Sequence, residues 1–162
     1  MPVFHNGVLY STRGYSSSPY MAVKPGGRGD VSQSQLQWLV KTGGPYVSSL
    51  VYHKGLLYMA TEVGIATCVD ASSGETVWRE RLGGCFTASP VAADGKIYFL
   101  NEDGETIVLE AGRELKILHR NHLRERTLAS PAVSSGQIFL RTEEHLFSIG
   151  KKPAPPSIRA GQ

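Results

Sequence analysis

The sequence predicts an all-β protein, and two observations, its composition and its internal repetition, carry that prediction. The 162 residues include 18 Gly and 9 Pro, which separate stretches rich in Val, Tyr, Thr and Ile. This pattern favours short strands joined by turns over long helices. Similar segments also recur about every 40 residues, a period typical of β-propeller blades and of some helical repeats.

The repeat rests on matched positions along the chain. Four matches are offset by 40 residues: Leu57-Tyr58 with Ile97-Tyr98, Gly64 with Gly104, Asp70 with Glu110, and Trp78 with Leu118. The next copy follows at an offset of 41, where Ser130-Pro131 matches Ser89-Pro90. Pro and Gly punctuate every copy, which argues against repeats built from helix pairs.

Each repeat contains four short apolar segments, as in 48–52, 56–60, 65–69 and 76–81. Four strands per repeat predict one propeller blade. The pairs Lys54-Gly55 and Asp94-Gly95 lie between such segments, where glycine supplies the positive φ of a tight hairpin. The sequence therefore predicts a partial β-propeller of about three and a half four-stranded blades, at about 1–44, 45–88, 89–129 and, incomplete, 130–150.

The first repeat is longer than the others. Gly7 and Gly55 occupy the same repeat position but are 48 residues apart. The additional residues fall within 15–19 and 25–30, which predicts a loop insertion in the first blade. The glycines of 25–30 match neither the P-loop nor the dinucleotide-binding spacing, so we expect a flexible turn there.

One segment carries a family resemblance. Asp70 is followed four residues later by Gly74 and four residues after that by Trp78, while Trp38 precedes Trp78 by 40. The repeats lack the Gly-His and Trp-Asp signatures of WD40 blades. The segment resembles the tryptophan-docking motif of quinoprotein dehydrogenase-like propellers, the PQQ-repeat family. The resemblance implies that the Asp fixes the turn, that the Gly leaves room for the Trp ring to approach the backbone, and that the Trp packs between adjacent blades.

The same resemblance covers roughly residues 1–150, with departures in the third repeat, where Glu110 and Leu118 replace the Asp and Trp. Propellers of this family typically close with seven or eight blades. We therefore expect this chain to be the C-terminal part of a longer protein, with a second copy of itself as the alternative source of the missing blades. The Pro-rich segment 151–162 is expected to be a disordered tail.

Candidate catalytic, cofactor-binding and metal-binding residues do not emerge from the pattern. The acidic pairs Glu102-Asp103 and Glu143-Glu144 recur at equivalent positions and are interpreted as solvated hairpin turns. His5 and His53 share a repeat position and are assigned structural or surface roles, because a metal site would need further ligands. The remaining candidates are assigned to the architecture: Cys68 to the core, Ser89 and Ser130 to strand entry.

Composition and charge exclude several function classes. A formal net charge of +3 with scattered basic residues does not predict a nucleic-acid partner. No apolar run is long enough to span a membrane, and the first 20 residues contain no signal peptide pattern. Compartment is therefore not given by the residues, although the family resemblance implies the periplasm or cell exterior for a complete protein.

Three hypotheses about function remain open. The first is a non-catalytic bacterial propeller that acts as a binding or scaffold module for another protein or an extended ligand. The second is a piece of a dehydrogenase whose PQQ, Ca²⁺ and acid/base residue lie outside this segment. The third is a fragment without an independent role, which predicts insolubility when the chain is expressed alone.

Overall fold

The structure is a computed structural model that describes residues 1–14 and 17–150, and within these ranges it is entirely built of strands and turns. Fifteen strands there form four antiparallel sheets, which we call blades 1 to 4. The all-β class and the partial propeller are confirmed. No helix in the two described ranges has the length and hydrophobicity to cross a membrane.

The strands follow one another in simple order within each blade. Blade 1 contains β1 (Val3–His5), β2 (Val8–Thr12), β3 (Tyr20–Val23) and β4 (Leu36–Val40). Blade 2 contains β5 (Val51–His53), β6 (Leu56–Ala60), β7 (Ile65–Asp70) and β8 (Thr76–Arg81). Blade 3 contains β9 (Val91–Ala93), β10 (Lys96–Leu100), β11 (Glu105–Glu110) and β12 (Ile117–His122). Blade 4 has three strands in the described chain: β13 (Ala132–Ser134), β14 (Gln137–Arg141) and β15 (Leu146–Gly150).

The first two strands of each blade are joined by a two-residue turn. In blade 2, Lys54 and Gly55 have φ values of 47° and 82°, which is the left-handed pair of a type I′ hairpin. This turn matches the twist of the two strands, which explains why Gly recurs at this position of the repeat. The corresponding pairs with positive φ are Asn6-Gly7, Asp94-Gly95 and Ser135-Gly136.

The hydrophobic core lies between the blades. Each strand alternates, so that one set of side chains faces the preceding blade and the other faces the following blade. Between blades 2 and 3, Tyr58 and Cys68 pack with Ile97 and Leu109. Between blades 1 and 2, a second cluster includes Tyr10, Ala22, Leu57 and Val69. Stacking of successive sheets is what buries these residues.

Because the strands of each blade are antiparallel, the connections between them lie on two opposite faces of the arc. The turns between the second and third strands lie at the same end as the connectors that lead to the next blade. We call this side the loop face; its described segments are 13–14, 17–19, 41–50, 61–64, 82–90, 101–104, 123–131 and 142–145. The opposite side of the arc is the hairpin face. It contains the hairpins between first and second strands and the turns between third and fourth strands.

The insertion predicted in blade 1 lies partly between β3 and β4. Residues 24–35 separate these strands, and the loop is closed by a hydrogen bond from the Lys24 amide to the Gln35 carbonyl oxygen (2.9 Å). The corresponding turns of blades 2 and 3 span residues 71–75 and 111–116. Two residues of the other predicted insertion, 15–16, and the predicted tail, 151–162, lie outside the described residues.

Candidate functional site

The junction of blades 1 and 2 is held at its outer edge by Trp38. Its indole Nε1–H donates to the carbonyl oxygen of Ala71, 3.0 Å away. The ring lies over Gly74, where an added Cβ would come within 2.7 Å of the Trp38 ring atom Cδ2. Trp38 on the fourth strand of blade 1 therefore contacts the turn between the third and fourth strands of blade 2.

Trp78 makes the same kind of contact one blade further on. Its Nε1–H lies 3.4 Å from the carbonyl oxygen of Gly112 in blade 3, and its ring packs at a tilted angle against Tyr58. The sequence suggested that the glycine of the Asp70–Trp78 segment makes room for the Trp of that segment. The structure instead places Trp38 on Gly74, because each Trp contacts the following blade.

Asp70 fixes the turn that receives Trp38. Its Oδ1 accepts the Ser72 amide (3.0 Å) and hydroxyl (2.6 Å), and its Oδ2 accepts from Arg113 of blade 3 (2.7 Å). The Ser72 hydrogen bonds, followed by that of Arg113, lower the pKa of the carboxyl group to about 2. Asp70 thus links its own turn to the next blade as an ionised group.

The third blade differs from the sequence alignment at the Trp position. In β7 and β8, Cys68 pairs with Trp78, whereas in β11 and β12 Val108 pairs with His119. The turn of blade 3 is one residue longer, so the structural equivalent of Trp78 is His119 and not Leu118. The alignment at a constant offset of 40 was wrong at this point, since one residue in an exposed turn shifts the following strand.

Glutamates of the loop face bind the connectors between blades. The Glu62 carboxylate oxygen Oε1 accepts the amides of Tyr46 (2.6 Å) and Val47 (2.9 Å). Its repeat equivalent Glu102 accepts the Thr87 hydroxyl, the Cys85 thiol and the Arg126 guanidinium. Glu102 is therefore a half-buried member of a network between blades 3 and 4, whereas the sequence suggested a solvated turn.

This network changes the chemistry of two groups. Hydrogen bonds from Thr87 and Cys85, and then Arg126, lower the pKa of Glu102. Burial, followed by the hydrogen bond to Glu102 and the Glu102 charge, raises the pKa of the Cys85 thiol. Cys85 is thus a protonated donor rather than a nucleophile. Glu62 and the contacts of Glu102 were missed in the sequence, although the spacing of 40 residues between these two glutamates was a usable signal.

The histidines lie in separate surroundings. His5 stacks on Tyr52 with ring centroids 4.0 Å apart, at the edge of an open cavity of about 440 Å³ between blades 1 and 2 on the hairpin face. His145 Nδ1 lies 2.8 Å from Glu125 Oε1. With Glu144, these two residues form the cluster of possible metal ligands that the described chain contains, and it is largely exposed.

A groove of about 390 Å³ separates blades 3 and 4. Apolar side chains line much of it, including Val108, Leu140 and Ile149, and His119 borders it in place of a Trp. The cluster of buried residues at this junction is smaller than those at the first two junctions. Blade 4 therefore packs less extensively on blade 3 than blades 1, 2 and 3 pack on one another.

Comparison with known families matches this repeat architecture. The family model described as "Outer membrane protein assembly factor BamB" matches residues 22–151, well over half of the chain. The chain belongs to this BamB family of PQQ-like repeats. The resemblance to PQQ-repeat propellers drawn from the sequence is thereby confirmed. No curated protein matches the sequence.

Three solved structures are similar in fold. BamB from Moraxella catarrhalis superposes with a TM-score of 0.64 at 18% identity, over 84% of this chain and 40% of that one. Quinohemoprotein alcohol dehydrogenase from Pseudomonas putida HK5 gives a TM-score of 0.65 at 15% identity, over 86% and 27%. A europium-containing methanol dehydrogenase gives 0.58 at 15% identity, over 74% and 23%. The chain thus spans less than half the length of each of these proteins.

Proposed function

We propose that this chain is a non-catalytic binding or scaffold module whose loop face binds another protein. The observation that carries the proposal is a set of exposed apolar side chains on that face. Val63 in the turn 61–64 is 62% exposed. Three further residues of the same kind lie on the blade connectors: Tyr46, Val47 and Leu128.

These side chains stand on loops that are fastened by hydrogen bonds. Glu62 holds the backbone at Val47, and Arg81 donates to the carbonyl oxygen of Val63 (2.7 Å). Arg126, close to Leu128, bridges Glu102 and Glu143. A surface that is ordered before binding loses less conformational entropy on association, and exposed apolar groups with a polar rim are typical of protein interfaces.

The family supports the same proposal. The family model carries the description of an outer membrane protein assembly factor. This description favours assembly with other proteins in the cell envelope as the role of the complete molecule. We propose a periplasmic or extracellular location on this basis. Blades beyond the four present here would come from the rest of a longer polypeptide or from a second copy.

Site-specific photo-crosslinking tests the loop face in cells that produce the chain. A photoreactive amino acid at Val63 or Leu128 is expected to give a discrete adduct with another protein. The matched control is Asp94 on the hairpin face, whose side chain is 90% exposed and which should give no such adduct. Equal labelling from all three positions, or no adduct from the loop face, would contradict the proposal.

The second candidate is a part of a quinoprotein dehydrogenase, favoured by the fold shared with two such enzymes. We infer that three carboxylates of the described residues do not serve as calcium ligands. Calcium takes six to eight oxygen ligands, whereas Asp70, Glu102 and Glu105 are each engaged by an arginine. Titration with PQQ and Ca²⁺, followed by Trp38 and Trp78 fluorescence, should therefore leave the emission unchanged; saturable quenching would favour the dehydrogenase.

A further inference from the structure

The face of blade 1 that points away from blade 2 is apolar. Direct strand pairing places Phe4, Leu9 and Val23 together on it, and Met21 beside Leu39. Tyr10 and Ala22 lie on the opposite side, in the cluster shared with blade 2. We call the first set the free face of blade 1.

This free face repeats the pattern of a buried surface. Leu9 and Val23 pair with each other as Leu57 and Val69 do in blade 2. Leu57 and Val69 are 0% exposed because blade 1 covers them, whereas Leu39 on the free face is 43% exposed. The residues of blade 1 are therefore suited to contact with a preceding blade.

Blade 4 carries the complementary type of surface. Phe139 pairs with Ser148 at the positions taken by Tyr58 and Cys68 in blade 2, which face the next blade. Strand alternation directs Phe139 away from the groove side of blade 4, where Ile138 and Leu140 lie. Blades 1 and 4 thus carry apolar side chains at equivalent positions of a blade junction, and on blade 4 Gln137 and Arg141 flank Phe139 on the same face.

Blades 1 and 4 also differ from the other blades at their outer edges. At the first two junctions a Trp on the fourth strand reaches the turn between the third and fourth strands of the next blade. Blade 4 has no fourth strand within the described chain, whereas blade 1 has the long loop 24–35 at the receiving position. In a junction between blade 4 and blade 1, this loop would lie beside β15, the last described strand of blade 4.

We propose that two copies of this chain close one ring, with blade 4 of each copy against the free face of blade 1 of the other. The loop 24–35 then lies beside β15 of the partner copy. The size is suitable, since 84% of this chain matches 40% of the BamB chain, and two copies would match about four-fifths of it. A head-to-tail contact that closes gives a ring of defined mass. This goes beyond binding at the loop face, because it uses the two ends of the arc.

Light scattering after size-exclusion chromatography of the chain Met1–Gln162 tests the ring. The expected result is one species of twice the 17.6 kDa chain mass. Leu39→Lys and Val23→Lys should each give a monomer with an unchanged circular dichroism spectrum. Val63→Lys, which adds the same charge on the loop face, should remain dimeric.

Three outcomes would overturn the proposal. A monomer across the accessible concentration range would indicate that blades of a longer polypeptide cover the free face. A ladder of higher masses would show that the head-to-tail contact does not close. A dimer that survives both lysine variants would place the interface elsewhere. Shortening residues 25–30 to two residues should weaken the dimer at least tenfold, and an unchanged dissociation constant would remove the loop from the interface.

Discussion

Trp38 of blade 1 donates its indole N–H to the carbonyl oxygen of Ala71 in blade 2 across 3.0 Å. The same ring fills the space that Gly74 leaves open. One side chain thus joins two sheets through a hydrogen bond and through apolar contact, and both depend on a turn that Asp70 stabilises. The stability of the arc should be sensitive to each of these residues in a distinct way.

Replacing either Trp should destabilise the protein. Trp38→Ala and Trp78→Ala each remove a large ring from a blade junction, for which about 3 kcal/mol of unfolding free energy is expected. Trp38→Phe keeps most of the apolar contact and loses the hydrogen bond to Ala71, so its cost should be about 1 kcal/mol. Urea unfolding followed by circular dichroism measures the unfolding free energy of each variant. A loss below about 1 kcal/mol for the Ala variants, the range of surface substitutions, would argue against the junction contact.

Gly74→Ala should cost more than Gly55→Ala. Both glycines have positive φ, 78° and 82°, so both variants lose about 1 kcal/mol from backbone strain. Only at Gly74 does the new Cβ meet the Trp38 ring, whereas at Gly55 nothing lies within 4 Å. The comparison of thermal unfolding midpoints isolates the steric conflict. Equal effects of the two substitutions would mean that the ring does not lie over Gly74.

The conflict at Gly74 should disappear when the ring is removed. In a double-mutant cycle, adding Gly74→Ala to Trp38→Ala is expected to cost only the backbone strain shared with Gly55→Ala, so the two changes are not additive. The coupling free energy from denaturant unfolding measures this. Additive effects within about 0.5 kcal/mol, the usual result for independent sites, would contradict direct contact between the two residues.

Stability should fall in acid through Asp70. Because its pKa drops from 3.8 to about 2 on folding, the folded protein binds the proton more weakly than the unfolded chain. The stabilisation is therefore complete above about pH 4 and is lost as the pH falls towards 2. After solvent screening we expect a contribution of about 1 kcal/mol. Asp70→Asn should be less stable than the native protein at pH 7, and the gap should close near pH 2; a constant gap would contradict this linkage.

The two cysteines should differ in reactivity. Burial raises the pKa of Cys68 to about 12 against the lowering effect of Tyr58 and Arg113, and burial and Glu102 raise the pKa of Cys85. Iodoacetamide at pH 8 should therefore modify Cys85 slowly and leave Cys68 unmodified, because the thiolate is the reactive form. Glu102→Gln should accelerate the modification of Cys85 several-fold, as measured by mass spectrometry.

The matched control for this reaction is Glu143→Gln. Glu143 also binds Arg126 but makes no hydrogen bond to Cys85 among the described contacts, so the rate should stay close to native. Acceleration by both substitutions would point to loosening of the loop face rather than to the charge of Glu102. No acceleration by Glu102→Gln would show that burial alone protects the thiol.

Local chemistry explains how much of the fold was predictable. Strand alternation and the Gly-containing hairpins such as Lys54-Gly55 each act within one repeat, and the 40-residue spacing of Trp38 and Trp78 gives the period of the repeat. They were sufficient for the strand content and for the type of architecture. They were insufficient for the position of His119, because a single additional residue in an exposed turn leaves no trace in the apolar pattern.

The sequence by itself determined an all-β chain of four-stranded repeats, because turn geometry and alternation depend on neighbouring residues. The tertiary structure alone decided that Gly74 receives Trp38 and that Glu102 joins blades 3 and 4. These contacts join residues that are far apart in the chain, and they form only when the sheets stack around a common axis. For the same reason, the equivalence between the apolar face of blade 1 and the buried face of blade 2 depends on how the sheets stack.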